Sequence, residues 1–524
     1  MVLSSTRGER LALGAVLVAL LVSYAYFYQA GGWNQNSRFA LIDAITQTGR
    51  LQVDPFRHHT GDLAFWQGHY YSDKAPGDVL TALPAVWATG LVLRAVGIDP
   101  GSYRGETVRS YVATVVTAGF GILLAACAIW WLARRWGAGE GGALFAMLAF
   151  GLATPAWCYA TLMMGHSLAA GSLALAFVAA VELHRAESPR AQRLLGLAVG
   201  LAAGWATLAE YPAAVPAAAL ALLALWEAWP RGGVARRRVA LAVTASALVC
   251  VAILMAYNQA SFGSPFHIAY ENERLFPGMD RGFFGITRPH HYAVNQILFG
   301  WYRGLLPLAP LVALAPLTLG WLWYRRPDAR KGVCVGAFIF TYYVLLTASY
   351  QYWDGGWAIG PRHLVPPLAF LCIGLGLAWT DGGRVVRALL ASLFIYGAAV
   401  SLVAVSTTPQ PPADYRQPVT ELLLPAFLHG QLSINHQSFL DTGESAPLLD
   451  PSRPYRAWNL GQLAGLQGLM SLLPLLLTWM GAAGVSWWAM APRRRSSRRA
   501  GRADSASAGR HQTLQRPADG RAAS

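Results

Sequence analysis

The run Tyr71-Ser72-Asp73-Lys74-Ala75-Pro76 lies nearer to chemistry than any other short stretch of this sequence. A lysine can meet a phosphate as a point charge. The carboxylate beside it can hold that lysine or bind a divalent metal, and Pro76 suits a helix start. The same residues also suit a plain surface ion pair ahead of a helix. Asp54, His58, His59 and Asp62 precede the run, with aromatic Phe65-Trp66 and His69-Tyr70 between. Further on, His166 follows Met163-Met164-Gly165. An imidazole there can bind metal, move a proton, or sit satisfied at an interface. Glu210, in Leu208-Ala209-Glu210-Tyr211-Pro212, ends an apolar stretch. A carboxylate at a helix C-terminus opposes the dipole and invites a cation or an acceptor hydroxyl. His290 and His291 are adjacent, which suits one shared ion poorly. Trp66, Trp353 and Trp357 can stack on sugar rings or anchor at a membrane surface. No phosphate-cradling glycine loop and no His-Glu-x-x-His run occurs.

What must position these residues is read from composition. The chain has 524 residues, 55% hydrophobic and 13% charged, against about 25% charged in soluble proteins. Apolar runs of roughly 18–23 residues, long enough to cross a bilayer as helices, recur from end to end. This excludes a soluble enzyme and predicts an all-α polytopic membrane protein. Twelve spans are expected, near 11–28, 110–132, 142–160, 166–183, 194–210, 212–229, 239–257, 304–323, 332–349, 364–380, 388–406 and 463–490. With the N-terminus in the cytoplasm, every short inner connection is basic: Arg7 and Arg10, Arg134 and Arg135, Arg185 to Arg193, Arg231 to Arg238, Arg325 to Lys331, Arg384 and Arg387. The net charge of +15 therefore reports topology, not a nucleic-acid partner. Residues 75–97 are apolar too, but a span there would turn every later arginine cluster outward. They are expected to lie at the outer interface. Three outer loops are long, about 29–109, 258–303 and 407–462, and long loops in compact proteins are usually functional. Of the 12 histidines, all but His184 and His511 fall on that side. Residues 1–491 thus form one transmembrane domain, and 492–524, rich in Arg, Ser, Ala and Gly, a disordered cytoplasmic tail. The five cysteines lie in apolar runs and form no disulfide framework.

An apolar first span, a jutting helix with Arg38, then Tyr71-Ser72-Asp73-Lys74-Ala75-Pro76 before an interfacial helix resembles the first outer loop of GT-C glycosyltransferases. The likeness is to the bacterial group that includes aminoarabinose transferases and protein O-mannosyltransferases. Trp353-Asp354-Gly355-Gly356-Trp357 through Gly360-Pro361-Arg362-His363-Leu364-Val365-Pro366-Pro367 is similar to an outer-face stretch of such proteins. So are Phe262-Gly263-Ser264-Pro265 and Tyr302-Arg303-Gly304. The resemblance implies a GT-C-like bundle of about 12 transmembrane helices in a bacterial-type inner membrane. It implies transfer of a sugar, with inversion, from a polyprenyl-phosphate carrier to a lipid, glycan or protein acceptor on the outer face. It makes Lys74 the ligand of the donor phosphate, Asp73 its acidic companion, and Arg362 and Arg38 further cations. Glu210 and His166 become acceptor or auxiliary groups. No cofactor is firmly implied; a divalent metal at Asp73 or His166 is the one candidate.

The chain departs from that pattern in one place. Many such proteins carry an Asp-Glu-x-Arg run after the first span, whereas this sequence has Gln35-Asn36-Ser37-Arg38. Neutral amides take no proton. Another carboxylate must then serve as base, from Asp43, Asp54 or Asp62; Asp62 is preferred and Asp43 second. The rival reading is a non-enzymatic transporter or binding protein for lipid-linked sugars. The absence of paired charges inside the spans argues against an ion-coupled transporter.

Overall fold

The computed structural model describes residues 6–440 and 456–491. The expected tail at 492–524 and part of the third long loop lie outside the described residues. Ten helices among the described residues are long and apolar enough to cross a membrane. They include Gly77–Ala95 and omit three expected spans. One of these is broken at Pro155 into Glu140–Leu152 and Ala156–Ala160. Another, Pro189–Ala209, carries Arg190 and Arg193 in its first turns. The third is shortened to Ala315–Arg325 behind Pro307 and Pro310. All twelve expected segments are helical, and the chain is a polytopic helical membrane protein with almost no sheet.

The helices approach closely through small residues, as membrane interfaces require. A Cβ on Gly171 would lie 2.3 Å from the Gly121 carbonyl oxygen, and one on Gly142 would lie 2.3 Å from that of Gly376. The arginine-bearing helix ends gather at one end of the bundle. There Arg134 pairs with Glu9 at 3.4 Å and Glu140 at 3.2 Å, Arg135 with Glu182 at 2.8 Å, and Lys331 with Glu227 at 3.2 Å.

The long loops cover the other end. Helix Gly77–Ala95 begins on the end of Pro189–Ala209, where a Gly77 Cβ would sit 2.5 Å from Ala209 N. Trp205 Nε1 donates to Thr81 at 2.9 Å. The chain then turns at Gly97, with φ of +78°, and Tyr103–Thr114 packs along it. Ser102 caps that helix by accepting from Gly105 N. Val79, Ala82, Val86 and Leu93 are buried, whereas Trp87, Val92 and Val96 are 60%, 62% and 65% exposed. Arg94, also exposed, ends this largely apolar face.

Two small pairings order the loops. Leu63–Trp66 and His69–Ser72 form an antiparallel hairpin with Leu63 opposite Ser72. Its two-residue turn, Gln67-Gly68, takes positive φ at both positions, as a type I′ turn demands. Phe27–Tyr28 pairs with Trp458–Asn459. The first helix, Arg7–Ala25, packs along the last, Leu473–Met490, and Trp479 Nε1 donates to Ser23 Oγ at 2.9 Å.

Candidate functional site

The hairpin register builds the centre of the site. Asp62 directly precedes one strand and Asp73 directly follows the other, so the Leu63–Ser72 pairing sets the two carboxylates side by side. Lys74 is the next residue, and its ammonium reaches both: Nζ lies 2.5 Å from Asp73 Oδ2 and 2.8 Å from Asp62 Oδ2. The support is polar and buried. Ser37 Oγ donates to Asp73 Oδ1 at 3.1 Å and is 2.8 Å from Ser72 Oγ. Thr60 Oγ1 accepts from Asp62 N at 3.0 Å. Burial pushes the Asp62 carboxyl above its usual range against the pull of Lys74. Burial also disfavours the Lys74 ammonium, but Asp62 and Asp73 more than offset it, and the lysine stays charged.

Glu273 completes this group. It lies in the middle loop and forms an antiparallel bridge with Ala64 of the hairpin, while Arg274 N donates to Leu63 O at 3.3 Å. His267 seats the loop, its ring 4.5 Å from Trp66 and 5.1 Å from Phe262. Glu273 is in hydrogen-bond contact with Asp73. Burial first, and then the neighbouring charge of Asp73, push its carboxyl up to about 10 against the pull of Lys74. Sequence reasoning missed it. Its only signal was a pair of acids, Glu271 and Glu273, in a loop where any acid carries equal weight.

A second group stands beside the first. Arg38 is wholly buried, and its guanidinium is spent on Asp78 at 2.9 Å, Glu210 at 3.1 Å and Asn34 at 2.5 Å. Arg38 therefore braces two carboxylates. Burial raises Glu210 above its ordinary range, opposed by Arg38, Arg362 and Lys74. His166 Nδ1 is 3.5 Å from Glu210 Oε1. That approach needs Gly165, whose Cβ would lie 2.3 Å from the same oxygen. The His363 ring is 5.2 Å from His166 and 5.7 Å from Tyr350.

Arg362 stands between the groups, near enough to draw down both Asp62 and Glu210. Its Nε is buried without a hydrogen-bond partner, and among the described residues it makes no ion pair. The loop that carries it is braced by fully buried Arg303, which donates to Asp354 O at 3.1 Å and Gly356 O at 2.7 Å. Gly355, at φ +73°, lets the backbone close onto the Arg362 side chain, 3.0 Å from where its Cβ would be.

Other expected residues lie elsewhere. Asp43 pairs with Arg109 at 2.7 Å, beside Glu106, which meets the same guanidinium at 2.9 Å. It is not brought to Lys74. Asp54 accepts from Tyr70 N and meets His69 Nδ1, both at 2.9 Å. Gln35 is buried against Gln410 at 2.9 Å, and Asn36 donates to His59 O at 2.7 Å and Ser438 O at 3.1 Å. His290 and His291 are exposed. Among the described residues no three His, Cys, Asp or Glu side chains form a metal-binding set. The ammonium of Lys74 already neutralises Asp73, and His166 stands against Glu210.

The helical bundle, with its polar centre under long loops at one end, has a GT-C-like fold by its likeness to solved structures. The chain is similar to the crystal structure of ArnT from Cupriavidus metallidurans in the apo state. That likeness has 16% identity and a TM-score of 0.51, covering 92% of this chain and 74% of that one. It is similar also to ArnT from the same organism bound to undecaprenyl phosphate, with 17% identity, a TM-score of 0.50 and the same coverage. At these identities the likeness is one of fold. No protein-family model matches the sequence, and no curated protein does.

Proposed function

We propose that the protein is a membrane glycosyltransferase that moves a sugar from a polyprenyl-phosphate carrier to an acceptor hydroxyl. The observation that carries this reading is the buried Asp62–Lys74–Asp73 triplet beside the uncommitted Arg362. The ArnT structure with undecaprenyl phosphate bound supports a lipid phosphate as the ligand of such a bundle. Lys74 and Arg362 hold the donor phosphate and take up the charge that grows on it as the bond to the sugar breaks. The acceptor oxygen attacks the anomeric carbon from the opposite side, inverting it, and the polyprenyl phosphate leaves. The acceptor proton passes to a carboxylate, for which Asp62 is the first candidate. Glu210 and His166 lie on the acceptor side, and Arg38 holds Glu210 in place. The loop end faces out of the cell and the arginine end the cytoplasm, following the charge bias of the connections.

The test is transfer by purified protein in bilayer discs, using undecaprenyl-phosphate sugars with wild-type and Arg362→Gln protein. Wild-type turnover, and a raised donor KM in the variant, are expected. Binding of the carrier without turnover on any acceptor would favour the rival reading, a binding or transport protein. No binding of undecaprenyl phosphate at all would refute both.

A further inference from the structure

Next to the carboxylate groups lies a set of phenols that the chemistry above does not use. Tyr211 follows Glu210 directly, and Tyr343 sits on helix Arg330–Ser349. Both hydroxyls are buried without a hydrogen-bond partner, and Tyr343 as a whole is 3% exposed. The elements are tied together: Tyr342 Oη donates to Pro212 O at 2.9 Å. The Tyr211 ring is 5.5 Å from that of Tyr270 in the middle loop, edge to face. Tyr211 lies within electrostatic reach of Glu210, Asp73 and Tyr257. Tyr343 lies within reach of Glu210, and Tyr270 within reach of Glu210 and Asp73.

Proteins rarely leave a buried hydroxyl unpaired, because its desolvation is then unrecovered. Here two such hydroxyls, from different helices, stand near one carboxylate and among aromatic rings. A phenol both donates and accepts, so it can meet a ligand hydroxyl in either sense. The carboxylate accepts from a second hydroxyl, and an aromatic face covers the apolar C–H face of a ring. We propose that Tyr211 and Tyr343, with Glu210, form a subsite that binds a glycosyl unit. This rests on the glycosyltransferase reading and names the place of the sugar within it. The subsite lies within electrostatic reach of Asp73, the neighbour of Lys74, so a ring held there lies on the side of the phosphate at Lys74. The sugar is that of the donor or one on the acceptor.

The experiment uses Tyr211→Phe and Tyr343→Phe, each of which removes one oxygen. Neither variant should lower the thermal unfolding midpoint of the ligand-free protein, since no internal bond is lost. Affinity is then measured for undecaprenyl phosphate alone, for a panel of undecaprenyl-phosphate monosaccharides, and for methyl glycosides with and without the carrier. Each variant should weaken a sugar-bearing ligand about 5- to 10-fold, the worth of one hydrogen bond, and leave bare undecaprenyl phosphate unchanged. Weakening of the carrier-linked sugars assigns the subsite to the donor; weakening of the methyl glycosides alone assigns it to the acceptor. The proposal is overturned if wild-type protein binds no glycoside and no panel member more tightly than the bare carrier. It is overturned also if the variants lower the unfolding midpoint or weaken no sugar ligand. Failure of wild-type protein to bind the bare carrier would instead sink the glycosyltransferase reading, and the methyl glycosides still decide the subsite.

Discussion

Replacing Lys74 by methionine separates a buried triplet from a surface ion pair by magnitude. An exposed pair would cost about 0–1 kcal/mol when broken. Asp62 and Asp73 are 6% and 2% exposed, and their shared ammonium is 2.8 and 2.5 Å away. Removing it strands buried charge, which costs about 3–5 kcal/mol. The loss should fall in acid. Without the lysine, the two carboxylates cannot both stay ionised and one takes a proton. Their pKa in the folded variant then lies above that in the unfolded chain. The stability this contributes is full below the unfolded pKa and is lost as pH rises through the folded one. The deficit of Lys74→Met should therefore be larger at pH 7.5 than at pH 5.5. Lys74→Met combined with Asp62→Asn removes one stranded charge and should recover about half of the loss. Tryptophan fluorescence during thermal unfolding in detergent measures all three proteins at both values. A deficit within about 1 kcal/mol of zero, a deficit independent of pH, or a double variant no better than the single one would refute the buried triplet.

Four further outcomes are expected. Asp62→Asn should retain donor binding and lose about 10²- to 10⁴-fold in turnover, the usual worth of a general base. Asp43→Asn, which disturbs the buried cluster with Arg109 and Glu106 away from Lys74, should lower stability and leave turnover within a few-fold; normal turnover in Asp62→Asn with a dead Asp43→Asn would reverse the assignment. Glu273 is raised from 4.5 to about 10, so the stability it contributes is full below pH 4.5 and is lost as pH rises towards 10. Glu273→Gln can donate to Asp73 without titrating and should flatten that decline, read from unfolding midpoints across the range; an unchanged slope would show that Glu273 is ionised in the folded protein. Single cysteines at Gln67 and Ser102 flank helix Gly77–Ala95 and should both react with an impermeant thiol reagent from outside intact cells, whereas reaction on opposite sides would make that helix a span.

The bundle was readable because its signal is local. A run of apolar residues bounded by arginines needs no partner to declare itself, and the charge bias alone argued against a span at 75–97. The Asp73–Lys74 pair was readable for the same reason, its two members being neighbours in the chain. Asp62 was reachable because a hairpin of ordinary length separates it from Asp73. The rest depends on contacts between distant residues. Arg38 meets Asp78 and Glu210, and nothing near Arg38 in sequence reveals that its charge is spent. Asp43 was weighed as a base because its meeting with Arg109 is set by how two helices dock. Glu273 and the phenols at 211 and 343 come from three separate stretches, each unremarkable until the middle loop closes on the hairpin.

The pairing of Phe27–Tyr28 with Trp458–Asn459, with the first helix lying along the last, has a consequence for biogenesis. The helix carrying Gln35 to Arg38 starts five residues after that strand, and Leu460 N also donates to Tyr26 O at 3.0 Å. Chains emerge from the ribosome N-terminus first, so the edge beside the site helix waits for the segment around residue 458 before it is closed. A nascent chain can therefore hold most of its spans in the bilayer while its polar centre is still open at one side. Closure of that edge therefore follows synthesis of the segment around residue 458, and a chain ended before residue 456 should still reside in the membrane, with the Phe27–Tyr28 edge unpaired.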